Sequence, residues 1–535
     1  MKSILKYLIV TIILAFGFEF LSKELTLHSF HNLIENILFA LIIVLIIVFL
    51  KNTRIKLLVT KGLLLLFSLS TLLESLYFYL FDTFFNTSAV FVILESNSAE
   101  TKEFLISKME AIPIIFAIIF LAITILMFTK LNFKNEVNHV INLTKVKAGF
   151  LIVGILVVLK VSALIIYNLP YLLLRTPSRY YEDTEKFKAY GKENPIGNFN
   201  NVEVDSSSNK KIYVIVIGES TNRTHFEIYN SYYRNTTPLL REIEDELFVF
   251  EDVISPHTYT IGALTKALTL GNYENPELLN KGSIIQLFNQ TGFDTYWLSN
   301  QRPVGVMDTK VTKIAMGSKY FRFFNTKHTN EKTPLDIDLV NALKEVVKED
   351  GDRKVIFLHM LGTHMDYKRR YPKSFEYFND TPKTAFKSKK AFSVINSYDN
   401  SIKYNDFLVR AIIETVRNEN VEGYVLYFSD HGQEVYNDKA FFGHTLDEQV
   451  TKNMYQIPYV LWLTEDYKKN NYLNFDVTKK YMTDDLIHSI ADISHISSKE
   501  IDSTRSIFNK NYKERKRIIQ DSIEYDILFK KQKSQ

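Results

Sequence analysis

Long hydrophobic segments are confined to the first third of the chain. There are five, at residues 4–21, 33–50, 63–80, 113–129 and 148–167. Each is close to the ~20 residues that an α-helix needs to cross a bilayer. The first segment follows Lys2 and Lys6 as a signal peptide would, but it lacks a small-residue cleavage site and four more segments come after it. The pattern therefore predicts a retained first helix and a five-span transmembrane domain over residues 1–167.

The connections between these segments differ in charge. Connections 51–61 and 130–147 each carry four Lys or Arg residues, whereas connection 82–112 is neutral to acidic. Basic connections stay on the cytoplasmic side of a membrane. Residues 82–112 are therefore predicted to form an outward loop, in which the stretch 88–105 fits either a helix at the membrane surface or a solvated connector. With five spans, everything beyond residue 167 is predicted to lie outside the cytoplasm.

A second pattern begins after the last apolar segment. Residues 168–210 are rich in Tyr, Asn, Ser and Lys and contain three prolines, which predicts an interfacial helix and a linker. Residues 211–535 alternate short strand-like runs such as IYVIVIG and GYVLYFSD with helical runs. This alternation is typical of a layered α/β domain with a largely parallel sheet. The predicted fold class is thus α + α/β, a five-helix transmembrane domain followed by an α/β domain.

Composition narrows the chemistry. The 535 residues include 64 Lys and Arg against 60 Asp and Glu, a balance that argues against a nucleic-acid partner. A chain of this length needs at least two structural units. Cysteine is absent, so disulfides, thiolate metal sites and cysteine nucleophiles are excluded. Any metal must be held by oxygen and nitrogen ligands, whereas the missing cysteines say little about the compartment.

Acidic and imidazole side chains follow three predicted strands. Glu219 follows the strand 212–218, His359 and His364 follow the strand that starts at residue 354, and Asp430 and His431 follow the strand 423–429. In a parallel sheet the carboxyl ends of strands share one edge, where ligands bind. Carboxylates and an imidazole at that edge predict a Zn²⁺ site without thiolates.

Each of these motifs also has an ordinary structural interpretation. Gly-Glu-Ser-Thr and Asp-His are common in capped turns. A core histidine and a surface histidine would account for His359 and His364, and solvent exposure would account for His444. The zinc hypothesis depends on the whole set meeting at one sheet edge.

The same residues carry a family resemblance. The strings YVIVIGESTNRTHFEIYN, SPHTYTIGALTKAL, FLHMLGTHMDYKRRYP and YFSDHGQEVY, in this order, resemble the periplasmic phosphoethanolamine transferases of the sulfatase/alkaline phosphatase superfamily. These enzymes modify the lipopolysaccharide core or lipid A, and the resemblance covers almost the whole chain. It implies a bacterial inner-membrane protein with five spans and a periplasmic sulfatase-like catalytic domain over residues 211–535.

The resemblance also implies a nucleophile and a metal site. Aligning on the apolar helix selects Thr260 as the nucleophile, with Thr258 as the second choice. The start of a helix suits this role, because it offers free N–H groups to a phosphoryl oxygen. The implied zinc ligands are Glu219, Asp430, His431 and the Thr260 hydroxyl.

The implied reaction runs in two steps. Thr260 attacks phosphatidylethanolamine, diacylglycerol leaves, and the phosphoethanolamine held on Thr260 passes to an envelope acceptor, most simply the lipopolysaccharide core or lipid A. The resemblance implies that His364 and His444 protonate the leaving group or hold a second, more weakly bound Zn²⁺. It also implies substrate contacts for Asn300 near the phosphate and for His359, which lies in the same segment as His364. Ser96 and Glu100 are the implied contacts of the ethanolamine head group.

Two departures from the family pattern concern the acceptor and the rigidity of the domain. Pro256 and Lys266 stand where lipid A-modifying members carry paired cysteines, so bracing must come from packing. Val304 replaces a basic residue, which leaves Arg302 as its substitute. In both respects the chain resembles the branch of the family that acts on the lipopolysaccharide core.

Other classes remain open at the level of the sequence. A phosphoglycerol transferase would use phosphatidylglycerol with the same threonine, zinc and spans. A phosphodiesterase or another hydrolase would use water as the acceptor, and a non-enzymatic binding module would keep the fold but lose the ligands. A sulfatase is disfavoured because it usually converts a Cys or Ser to formylglycine, and the chain has no Cys.

Overall fold

The structure is a computed structural model. It describes residues 2–22, 25, 27–81, 84–85, 90, 111–131, 133, 143–176, 194–205, 210–301, 310–325, 334–445, 450–471 and 475–532. Ser96 and Glu100 lie outside these ranges, as do Arg302 and Val304. The described residues divide into two compact units, the first up to residue 176 and the second from residue 194 onward.

The first unit is built from five apolar helices: α1 (Lys2–Ser22), α2 (Leu27–Phe49), α3 (Thr53–Phe81), α4 (Ala111–Lys130) and α5 (Lys145–Val161). Tyr7 of α1, Ile43 of α2 and Phe67 of α3 are buried in one cluster between the helices. Large apolar side chains also face outward, such as Leu58, which is 74% exposed, and Ile118, which is 62% exposed. A surface of this kind suits lipid rather than water.

The predicted count of five full spans needs a correction. Of the described helices, α1 to α4 are long and apolar enough to cross a membrane, but α5 has only 17 residues. The predicted fifth span, 148–167, is interrupted because the helix ends at Val161 and Ala163 adopts a left-handed conformation with φ 59°. A short 3₁₀ helix, Leu164–Tyr167, follows. Hydropathy cannot detect such a break, because the residues on both sides of it are apolar.

The second unit contains short and long strands: β1 (Glu203–Val204), β2 (Lys211–Gly218), β3 (Leu247–Val249), β4 (Asp252–Ile254), β5 (Asp294–Ser299), β6 (Tyr320–Phe323), β7 (Arg353–His359), β8 (Glu422–Ser429), β9 (Glu434–Val435), β10 (Phe442–Gly443), β11 (Tyr459–Leu463), β12 (Lys480–Met482), β13 (Ile496–Ser497), β14 (Ile518–Ile519) and β15 (Ile523–Glu524). Its α-helices are α6 (Pro238–Arg241), α7 (Thr260–Ala267), α8 (Ile284–Gln290), α9 (Lys310–Ala315), α10 (Ile337–Val346), α11 (Lys389–Arg417), α12 (Glu465–Asn470), α13 (Leu486–Ile493) and α14 (Tyr525–Gln532).

Seven strands form the central sheet in the order β3-β11-β8-β2-β7-β5-β6. Strand β2 pairs in parallel with β7 and β8, and β5 pairs in parallel with β6 and β7. Strand β11 runs antiparallel to both of its neighbours. The predicted α/β domain with a largely parallel sheet is confirmed.

Both faces of this sheet are covered. Every residue of β2 is buried. Tyr213, Ile215 and Ile217 belong to one hydrophobic core, whereas Val214 and Val216 belong to the core on the opposite face. A strand buried on both sides reads as a continuous apolar run, which explains the sequence KIYVIVIG.

Strand register sets where the polar residues emerge. Gly218 at the end of β2 is paired with Ser429 at the end of β8, and Ile217 is paired with His359 at the end of β7. Glu219 and Asp430 are therefore the first residues beyond two adjacent parallel strands. The predicted convergence at one sheet edge follows directly from this register.

Candidate active site

Glu219, Asp430 and His431 form a buried cluster at the edge of the sheet. One ligand atom from each residue lies within 4.8 Å of the others, and all three side chains are buried. His431 Nε2 is 3.5 Å from Glu219 Oε1 and 3.5 Å from Asp430 Oδ2. The structure thus brings together the three protein residues that the sequence predicted as metal ligands.

Hydrogen bonds to the other polar atoms of Asp430 and His431 leave Asp430 Oδ2 and His431 Nε2 facing each other. His431 Nδ1 donates to the Gly432 carbonyl at 2.7 Å, so Nε2 is the ring nitrogen that could bind a metal once its proton is lost. Asp430 Oδ1 accepts from the backbone N–H groups of Ser220 and His431 at 2.9 and 2.6 Å. Within the described ranges, Asp430 Oδ2 and His431 Nε2 are buried without a hydrogen-bond partner. Buried polar atoms of this kind need a further partner, and a metal ion would provide one.

Glu219 is held by the chain segments around it. Its Oε1 accepts from Ser220 Oγ at 2.6 Å, and its Oε2 accepts from Gln301 Nε2 at 3.1 Å. Its carbonyl accepts from both the backbone N–H and the hydroxyl of Thr363, each at 3.0 Å. Gly362 permits this approach, because a Cβ added there would lie 2.8 Å from the Glu219 nitrogen. The loop after β7 therefore positions the carboxylate that follows β2.

The two buried carboxylates and the imidazole shift one another's pKa values. Burial and the neighbouring charge of Glu219 raise the pKa of Asp430 to about 7. Burial lowers the pKa of His431, but the charges of Asp430 and Glu219 outweigh it and raise the pKa to about 9. Burial raises the pKa of Glu219, yet its interactions with His431 dominate, so the net shift is downward. Two carboxylates and an imidazole fit a Zn²⁺ ion, whose charge would replace the shared protons.

Thr260 lies next to this cluster. Its hydroxyl donates towards Glu219, with Oγ1 at 3.1 Å from Oε2 and 3.3 Å from Oε1. Thr260 is the first residue of α7, and Tyr259 is its N-cap. Thr258 is buried and donates to the Thr445 carbonyl at 2.6 Å. The structure therefore brings Thr260, rather than Thr258, to the candidate metal ligands.

The three other predicted histidines occupy different environments. The ring of His444 lies 4.7 Å from the ring of His431 and meets it edge-on. His364 follows Thr363 in the loop that holds Glu219. His359 is buried at the end of β7 against Trp297, and burial lowers its pKa to about 4. His359 is thus a neutral core histidine, as its ordinary interpretation expected, while His444 lies beside the cluster.

Asn300 supports the site from the end of β5. It is fully buried, and its Nδ2 donates to Asp336 Oδ1 at 2.8 Å. Asp336 in turn accepts from the backbone N–H groups of Leu361 and Gly362 at 2.9 and 2.8 Å. Asn300 is therefore connected through Asp336 to the loop that holds Glu219.

Two of these supporting residues were not predicted. Gln301 contacts Glu219 directly, and its position beside Asn300 in the SNQ segment was the signal that could have identified it. Asp336 carries no local signal, since its role depends on a loop that is distant in sequence.

Pro256 and Lys266, the positions at which the resemblance implies missing cysteines, make other contacts. Lys266 of α7 forms an ion pair with Asp521 at 2.8 Å. The Pro256 carbonyl accepts from the Gln520 backbone N–H at 3.0 Å. The turn between β14 and β15 therefore braces both ends of the segment that carries Thr260.

Comparisons with known proteins identify the family of the chain. Residues 211–496 match the sulfatase family. The chain is 30% identical over 492 residues to the phosphoethanolamine transferase EptC of Escherichia coli K12, covering 84% of this chain and 83% of that protein. The crystal structure of the C-terminal periplasmic domain of E. coli EptC in complex with Zn is 31% identical and superposes with a TM-score of 0.59, covering 62% of this chain and 97% of that one.

A second solved structure matches the fold over most of the chain. The integral membrane lipooligosaccharide phosphoethanolamine transferase A of Neisseria meningitidis superposes with a TM-score of 0.72 and covers 95% of this chain and 97% of that one, at 18% identity. Apolar amino-terminal helices followed by a sulfatase-like domain are common to both, and the predicted family and fold class are confirmed. The chain belongs to the sulfatase family and, within it, to the membrane-anchored phosphoethanolamine transferases.

Proposed function

We propose that this enzyme transfers phosphoethanolamine from phosphatidylethanolamine, through a covalent intermediate on Thr260, to the lipopolysaccharide core or lipid A. The observation that carries the proposal is the hydroxyl of Thr260 at 3.1 Å from Glu219, whose carboxylate clusters with Asp430 and His431. A hydroxyl next to a cluster of metal-ligand type is the arrangement that an activated nucleophile needs. The relatives' names supply the transferred group, and E. coli EptC is one of them.

Glu219, Asp430 and His431 would hold one tightly bound Zn²⁺, with the Thr260 hydroxyl as a fourth ligand. A bound Zn²⁺ supplies Lewis-acid chemistry, because it lowers the pKa of a ligated hydroxyl and stabilises negative charge on a phosphoryl oxygen. Among the described residues, Asp430 Oδ2 and His431 Nε2 have no hydrogen-bond partner, which supports this assignment. His364 and His444 are the candidates to hold a second, weaker zinc.

The chain's own residues define the two transfers. Thr260 Oγ attacks phosphorus and its proton passes to solvent; the bond from phosphorus to the glycerol oxygen breaks, and that oxygen takes a proton from His444 or His364 as diacylglycerol leaves. An acceptor hydroxyl then attacks the same phosphorus and gives its proton to the same histidine. The bond from phosphorus to Thr260 Oγ breaks, and Thr260 Oγ takes a proton from solvent. Asn300 and His359 are both buried, so we assign them to positioning the residues around the phosphate, and we assign Ser96 and Glu100 to the ethanolamine head group.

The proposed organisation follows the same logic. Residues 1–167 anchor the enzyme in the inner membrane, and residues 211–535 form the periplasmic catalytic domain. Residues 168–210 are the linker between them. The donor and the leaving diacylglycerol are both membrane lipids, which explains why the catalytic domain is joined to apolar helices.

Mass spectrometry of the enzyme incubated with phosphatidylethanolamine and no acceptor tests this proposal. A phosphoethanolamine adduct is expected on the peptide that contains Thr260, absent in Thr260→Ala and retained in Thr258→Ala. Release of diacylglycerol without any adduct would instead indicate a hydrolase. An adduct formed only from phosphatidylglycerol would make the enzyme a phosphoglycerol transferase.

A further inference from the structure

Three carboxylates are buried within the membrane unit, close to one end of its helices. Glu19 lies in the last turn of α1. Glu35 lies about two turns after the start of α2, and Glu74 lies about two turns before the end of α3. They are 2%, 0% and 1% exposed, respectively. Ionisable side chains inside a membrane segment are costly and mark a functional site by default.

The hydrogen bonds to these carboxylates come from neutral groups. Ser75 Oγ donates to Glu19 at 2.9 Å, Asn168 Nδ2 to Glu35 at 2.7 Å and Asn36 Nδ2 to Glu74 at 3.0 Å. Glu35 Oε2 accepts no hydrogen bond from the part of the chain that the structure describes. Glu19 and Glu35 are both close enough to repel Glu74 electrostatically. Neutral donors reduce the cost of burying these groups but do not compensate their charge.

A small cavity opens beside the cluster. It has a volume of about 10 Å³, and its polar lining comes from Glu19, Asn32, Asn36 and Thr71. This is room for one species of the size of a water molecule. Asn32 is only 3% exposed, and its Oδ1 is buried without a hydrogen-bond partner among the described residues. Asn32, whose amide oxygen has no partner among the described residues, and Glu19 therefore line the same cavity.

We propose that this cavity is a binding site for a small alkali cation, for which Na⁺ is the probe. Carboxylate, amide and hydroxyl oxygens are the ligands that hard cations prefer. A cation would satisfy Asn32 Oδ1 and compensate the charge of Glu19, whereas a water molecule would leave that charge in place. A phospholipid head group exceeds the volume of the cavity.

The proposed site connects the helices of the membrane unit. Glu19 belongs to α1, Asn32 and Asn36 to α2, and Thr71 to α3. Asn36 also donates a hydrogen bond to Glu74. Glu74 accepts a second hydrogen bond, at 3.4 Å, from the backbone N–H of Leu169, the first residue of the helical stretch 169–176. Cation binding therefore stabilises the packing of three helices and the attachment of the segment that follows them.

Protection from dicyclohexylcarbodiimide, which modifies buried carboxyl groups, tests the proposal on the full-length protein in detergent. Labelling of the Glu19 peptide is measured in NaCl and in choline chloride at equal ionic strength. The labelling rate is expected to fall about tenfold when Na⁺ is at ten times its dissociation constant. The protection should disappear in Asn32→Leu and persist in Thr11→Val, a matched change of a buried polar residue in α1 that does not line the cavity.

Labelling that responds to pH but not to Na⁺ would overturn the proposal, since the carboxylates would then hold protons only. If the reagent reaches none of the carboxylates, the thermal unfolding midpoint tests the proposal instead. The midpoint of the wild type should then be higher in NaCl than in choline chloride, and the midpoint of Glu19→Gln should be the same in both salts. Equal midpoints in the two salts would exclude a cation site. None of these readouts depends on transfer activity, so this proposal and the proposed function can fail independently.

Discussion

The hydroxyl of Thr260 lies 3.1 Å from Oε2 of Glu219. Thr260 begins helix α7, and Glu219 is the first residue beyond the central strand β2. The proposed nucleophile at the start of a helix is thereby placed against a candidate metal ligand at the end of a strand. Thr258, two residues earlier, donates to the Thr445 carbonyl instead.

This relationship predicts opposite outcomes for two neighbouring threonines. Thr260→Ala should lower phosphoethanolamine transfer by at least about 10³-fold, because removal of a nucleophile eliminates the covalent step. Thr258→Val should retain transfer and lose about 1 kcal/mol of stability with its hydrogen bond to Thr445. Transfer rates and thermal unfolding of both variants check this. An inactive Thr258→Val beside an active Thr260→Ala would move the nucleophile to Thr258.

Gln301 is expected to act through Glu219. It donates to Glu219 Oε2 at 3.1 Å and to the Met360 carbonyl at 3.0 Å, so Gln301→Leu removes the orientation of the carboxylate without changing charge. Loss of a partner that orients a metal ligand typically costs 10–100-fold in metal affinity. We expect a loss of this size in zinc affinity, measured by competition with a chelator.

Gln286→Leu is the matched control for that experiment. Gln286 is equally an amide that bonds to backbone groups, but it caps helix α8 through Ser283. This variant should lose stability and keep its zinc affinity. Equal zinc affinities in Gln301→Leu and the wild type would show that Gln301 does not position Glu219.

The sequence was sufficient for the part of the site that depends on the sheet. Glu219, Asp430 and His431 follow recognisable buried strands, and parallel pairing places the residues after such strands together. Gln301 and Asp336 depend on loop contacts between segments far apart in sequence, for which no local spacing exists. Likewise, the break at Ala163 is a backbone conformation, to which a hydropathy pattern is insensitive.

The Gly362→Ala variant tests whether the close approach of the loop after β7 to Glu219 matters for zinc binding. Its φ is +52°, and an added Cβ would lie 2.8 Å from the Glu219 nitrogen and 2.9 Å from its carbonyl oxygen. Gly292 has φ +80°, but an added Cβ would meet nothing within 4 Å. Both Gly→Ala variants should lose about 1 kcal/mol from the left-handed backbone conformation. Only Gly362→Ala should also lose zinc affinity and transfer, and equal effects of the two variants on zinc affinity would contradict this interpretation.

Zinc affinity should rise with pH, because zinc binds the deprotonated forms of its ligands. In the metal-free protein Asp430 has a pKa of about 7 and His431 a pKa of about 9, both raised. Below pH 7 both groups carry protons, so binding releases close to two protons and the apparent affinity should rise about 100-fold per pH unit. Between pH 7 and 9 only His431 still carries its proton, and the rise should fall to about tenfold per unit. Zinc titrations with a competing chelator at pH 6, 7 and 8 measure this slope, and an affinity that is constant over this range would show that these two side chains do not hold the metal.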